Sequence, residues 1–168
     1  MKKIILLFSL LGIFAIQSCT VQEDRSVSVV DNDTISEVFE VVTSFNSTNN
    51  YSKVVSLSPA IYSSDVVLMY RLNGTYQGND VWKLMPESFY FSNGSLDFGY
   101  RYDFTKYSIN VYMVGNDLGS VSTDFRLSQV LRIVIVPGSF SKSVDITNYN
   151  EVIATLNLKD KEIQKIEF

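Results

Sequence analysis

The chain has 168 residues and a formal charge of −4, and its 46% hydrophobic and 13% aromatic content is enough for one domain of ordinary size to build a core without disulfides. It has no histidine and one cysteine, which excludes Ser-His-Asp and Cys-His catalysis, zinc sites made of His and Cys, and an imidazole pH switch. The 14 Lys and Arg are scattered and outnumbered by 18 Asp and Glu, so nucleic acid, which is held by clustered cations, is not an expected partner.

At the N-terminus, Lys2 and Lys3 precede an apolar run, Ile4–Ile16, that has the length of a signal-peptide core and is too short for a full membrane span. The stretch Ile16-Gln17-Ser18-Cys19 that follows resembles the bacterial lipobox, with Gln17 departing from the small residue commoner there. That resemblance implies cleavage after Ser18 and lipidation of Cys19, and so a membrane partner reached through the lipid anchor alone. Several acyl chains on one cysteine hold stably, since each buried methylene adds about 0.8 kcal/mol. Residues 19–34 are polar and acidic apart from Val27–Val30 and read as a flexible tether, leaving 35–168 as a single β-rich domain. Fully extended, the tether spans roughly 50 Å at about 3.3 Å per residue.

Beyond Thr34, short runs rich in Val, Ile, Tyr and Phe alternate with clusters of Asn, Asp, Gly and Ser. Strands are predicted at Glu37–Phe45, Tyr51–Ser58, Val66–Leu72, Phe89–Phe91, Leu96–Phe104, Ile109–Val114, Val130–Val136 and Ile163–Phe168. Asn93-Gly94 is the firmest hairpin signal, because both residues tolerate positive φ, and weaker turns are predicted at Asn73-Gly74 and Gly115-Asn116-Asp117. In Leu96–Phe104 the even positions are apolar or aromatic, the pattern of a half-buried strand whose row Phe98, Tyr100, Tyr102 and Phe104 faces the core. Val130–Val136 is apolar on both faces except at Arg132, as a central strand covered on both sides would be, and Pro137-Gly138 ends it. Tyr149, Val152, Ile153 and Leu156 fall at helical spacing behind Thr147 or Asn148 as a cap, predicting one short helix over Asn148–Leu156. The fold class that follows is mainly β, an antiparallel, Ig-like β-sandwich with that helix near the C-terminus.

The remaining chemistry is that of carboxylates, Ser-Lys or Tyr groups, and calcium held by oxygen. Asp97 and Asp103 share a strand face but lie about 20 Å apart, too far for the acid and base of a glycosidase. Glu37 and Glu40 face opposite sides of their strand, and all four acids read as solvated surface charge. Asn116 with Asp117 and Asp31 with Asp33 lack the spaced, Gly-centred arrangement of a calcium loop, so no metal and no cofactor is expected. Aromatic rings stacking on sugars are a further option, and Tyr76, Trp82 and Tyr90, near turns, are the rings freest to meet a ligand.

Asp33-Thr34-Ile35 resembles the short O-glycosylation signal of Bacteroidota envelope proteins, which makes Thr34 a candidate modification site. The Asn-X-Ser/Thr triplets at Asn32, Asn46, Asn73 and Asn93 read instead as turn chemistry. With DVVLMYRLNG, DVWKLMPESFYF, YRYDFT and LRIVIVPG, the stretch Asp65–Phe168 resembles a family of small Bacteroidota lipoproteins of unknown function, one that supplies no catalytic residue to carry over. Gln22-Glu23-Asp24 resembles the acidic signal that sends such lipoproteins to the outer face of the outer membrane. The expected function is that of an envelope-anchored, non-enzymatic binding module for a glycan or envelope protein. A structural envelope spacer is the alternative, and an enzyme working with carboxylates alone ranks last.

Overall fold

The computed structural model describes residues 37–140, 143–157 and 163–166. The expected leader, Cys19, the tether with Asp31 and Asp33, and Thr34 lie outside them. The described residues form a β-sandwich. One sheet holds β1 (Glu37–Thr43), β3 (Asp65–Tyr76), β4 (Asn79–Leu84), β8 (Gln129–Pro137) and β9 (Gln164–Ile166), in the order β4-β3-β8-β1-β9. The other holds β2 (Ser52–Ser56), β5 (Glu87–Tyr90), β6 (Leu96–Thr105) and β7 (Ser108–Gly115), in the order β2-β7-β6-β5. Pairing is antiparallel throughout except that β9 lies parallel to β1. A single turn, α1 (Thr123–Arg126), leads into β8, and the predicted helix is present as α2 (Tyr149–Thr155), capped by the Asn148 side chain.

Period-two alternation in the sequence sorts the side chains of each strand onto two faces. Val41, Val67, Met69, Leu131 and Ile133 from one sheet meet Val55, Tyr100, Ile109 and Val111 from the other, all essentially sealed from solvent. Each large apolar side chain buried this way contributes about 1.5–3 kcal/mol. Phe89 stacks on Phe98 with ring centroids 4.4 Å apart, and Phe125 leans on both, closing one end of the core. Polar groups bolt the layers together: the Tyr102 hydroxyl donates to the Val67 carbonyl at 2.9 Å, and the Tyr100 hydroxyl donates to the Phe125 carbonyl. Burial pushes the Tyr100 phenol up to about 12, and that of Tyr102 upward as well.

β8 is central, as its two apolar faces predict. Its Leu131, Ile133 and Ile135 enter the sandwich core, while Val134 and Val136 join Leu68, Tyr70 and Val152 in a second cluster on the outer face, covered by α2. The row on β6 departs from expectation at its end: Phe98 and Tyr100 are buried, but Phe104 is 41% exposed because it lies beside the β6–β7 turn. Asn93-Gly94 does turn the β5–β6 hairpin, with Gly94 at φ 84° and Asn93 Oδ1 accepting from the Ser95 amide at 2.9 Å.

Two elements differ from the sequence reading. Asn73-Gly74 is not a turn. β3 runs through it, and its pairing with β4 shifts between Leu72 and Thr75, a bulge that accommodates Gly74 at φ 107°. The reversal comes at Gln77-Gly78, where both residues have positive φ, as a type I′ hairpin requires. The strand after it, β4, is additional to those the sequence predicts.

Candidate functional site

The β3–β4 hairpin reaches beyond the sheet, and the chain entering α2 passes beside it. Between them lies a groove of about 590 Å³, within the usual range for small-ligand sites. Tyr76 and Asn79 close the hairpin and line one side with Asp80 and Trp82, while Asn148, Tyr149 and Asn150 line the other. Tyr76 and Trp82 thus line the same groove, and Tyr149 lines it with them. Tyr90 does not: it stands 64% exposed on β5, at the edge of the other sheet.

The rings differ in freedom. Tyr76 is 68% exposed. Trp82 and Tyr149 are half-buried, with centroids 5.6 Å apart, and the Arg132 guanidinium lies 4.0 Å from the first ring and 5.1 Å from the second. Arg132 also donates to the Tyr149 hydroxyl, and its Nε donates to Glu40 Oε1 at 3.0 Å. Glu40 sits directly opposite Arg132 in the β1–β8 register. This corrects the reading of Glu40 as solvated charge: the residue is 5% exposed and neutralises the one cation on the otherwise apolar face of β8. Lys165 approaches its other oxygen at 3.6 Å.

Tyr70 fixes the second wall. Its ring meets Tyr149 edge-on at 5.2 Å, and its hydroxyl donates to the Ile146 carbonyl at 2.7 Å, while burial raises its pKa. Asp145 accepts from the Thr147 amide and hydroxyl at 2.9 and 2.6 Å, and these bonds hold its carboxyl below the ordinary value. The rim of the groove is therefore set by local bonds and its back by an ion pair and aromatic contacts.

Asp97 and Asp103 lie along β6 without converging, and Asp117 accepts from the Ser120 amide at 3.3 Å as part of a turn. Among the described residues, no three of His, Cys, Asp and Glu gather as a metal site. Two other hollows differ in character. One of about 560 Å³ is lined by Val42, Asn46, Asn49 and Lys53, where Asn46 and Asn49 cap each other's turn. One of about 350 Å³ lies beside Arg71 and Asn73, which bond to each other at 2.9 Å. The groove at Tyr76 is distinguished from both by a free ring beside a fixed aromatic wall. Comparison of the chain with protein-family models, with characterised proteins and with solved structures gives no match, so the groove's own geometry is what speaks for its use.

Proposed function

We propose that this protein is an envelope lipoprotein, anchored through Cys19 to the outer membrane and facing outward, whose domain is a non-catalytic binding module with its ligand site in the Tyr76–Trp82–Tyr149 groove. The observation that carries the binding reading is the groove, whose lining includes the exposed Tyr76 together with two rings held from behind by Arg132. Rings fixed before a ligand arrives cost little ordering entropy on binding. Among the described residues the groove is lined by a single carboxylate, Asp80, where carboxylate-based glycoside hydrolysis uses two across the scissile bond. The anchor reading rests on Lys2, Lys3, the apolar run and the lipobox-like residues before Cys19. Membership in the small Bacteroidota lipoprotein family, with a tether that carries a glycan on Thr34, belongs to the same proposal.

The test is to express the native chain and a Cys19→Ala variant with radiolabelled palmitate, then shave intact cells with protease. Label on the native chain alone, with the domain released by protease before lysis, is the expected result. Label on both chains would refute Cys19 as the attachment site, and protection until the outer membrane is broken would move the domain to the periplasmic face.

A further inference from the structure

We infer that the groove takes a neutral carbohydrate, with one sugar ring laid against Tyr76 and its hydroxyls bonded to Asp80 and the neighbouring asparagines. The inference rests on the binding-module reading and names the ligand class for that site. A pyranose has an apolar C–H face ringed by hydroxyls, so it needs a flat, exposed ring with planar amide or carboxylate groups at its edge. Tyr76 supplies the ring. Asp80 and Asn150 supply groups that bond to no other described residue, and Asn79 spends its Nδ2 on the Gln77 carbonyl at 3.3 Å, leaving its oxygen to accept.

Charge narrows the class. Among the described residues, no Lys or Arg lines the groove, and the one formal charge on its lining is the Asp80 carboxylate, which opposes phosphate, sulfate or uronate groups. Cations are opposed by a different feature. An aromatic cage draws a quaternary ammonium to open ring faces, but Trp82 and Tyr149 already meet the Arg132 guanidinium, which leaves only Tyr76. A neutral, hydroxyl-rich ring asks for neither a counter-charge nor a cage.

Trp82 is the only tryptophan in the chain and lines the groove, so its emission reports on this site alone. The experiment titrates the full chain with maltohexaose, mannohexaose and triacetylchitotriose as neutral probes, and with polygalacturonate and choline as charged ones. The expected result is a saturable change in Trp82 emission with at least one neutral probe. Its affinity should fall about tenfold or more in Tyr76→Ala, recover in Tyr76→Phe, and stay unchanged in Tyr90→Ala. A response to polygalacturonate or choline but to no neutral probe overturns the carbohydrate class and leaves the groove standing as the binding site. Silence toward all five overturns both. A neutral-probe response that Tyr76→Ala does not weaken overturns the placement of the sugar on that ring.

Discussion

Among the described residues, two arginine–glutamate pairs are largely withdrawn from solvent, one between the sheets and one on the outer face beside α2. Arg71 on β3 reaches Glu87 on β5 through Nε at 2.6 Å and a second nitrogen at 3.3 Å, and its guanidinium lies 5.0 Å from the Tyr100 ring. Arg132 pairs with Glu40 on the next strand of its own sheet, and its guanidinium lies against Trp82 and Tyr149. The chemistry is the same, but what is held differs. The first pair joins two layers and helps to fix how one sheet sits on the other. The second joins neighbours already tied by β1–β8 pairing, so its added effect is on the rings above it. A buried ion pair is rarely more stabilising than well-packed apolar groups, and here each pair is better understood through the position it enforces.

The largest effect should come from Arg71→Ala, which strands Glu87 between the sheets and should cost about 4 kcal/mol in a urea titration, while the folded-state emission of Trp82 stays unchanged. Arg132→Ala should cost somewhat less, about 3 kcal/mol, because Lys165 remains near Glu40, and it should visibly move Trp82 emission. If both variants move that emission, or neither does, the contrast between the two pairs fails. Gly99→Ala probes the first region from another side. A Cβ there would lie 2.6 Å from the Glu87 carbonyl oxygen, and overpacking of this kind costs about 2 kcal/mol. Smallest of all, Tyr76→Ala should leave stability within about 0.5 kcal/mol, since the ring is exposed.

Alkali gives a separate reading of the sandwich. The Tyr100 phenol, raised by burial from 10.0 to about 12, keeps its proton in the folded state where the unfolded chain has lost it. Folded protein then binds more protons than unfolded protein, so stability present below pH 10 falls as pH rises from 10 toward 12. Absorbance at 295 nm should show Tyr70, Tyr100 and Tyr102 ionising only as the domain unfolds. Tyr100→Phe should reduce the steepness of the alkaline loss.

Much of the sandwich was legible because period-two patterns survive in strands with one wet face, and because Val130–Val136 could only be a strand covered on both sides. The hairpin that forms the groove was not legible. Asn73-Gly74 carries the stronger turn signature, yet the bulge uses it inside β3, while Gln77-Gly78 makes the turn with an unusual residue at its first position. Asn79–Leu84 then lacks clean alternation, so β4 had no independent signal. Tyr76 and Trp82 were visible as rings near turns. Tyr149 shows in the sequence only as part of a helical stripe, and nothing local to Glu40 announces a partner 92 residues away in the chain.

The placement of β1 bears on how the domain carries force. Chain leaving Glu37 toward the N-terminus pulls on a strand held from both sides, by seven residue pairs with β8 and three with β9. The groove lies toward the opposite edge of the same sheet, at the β3–β4 hairpin, with β8 between. Tension between the N-terminal segment and a seized ligand would cross the sheet from strand to strand and load β1 along its length, so that its bonds to β8 share the strain together instead of parting one at a time. A strand loaded in that way would resist drag better than one whose pairs part singly.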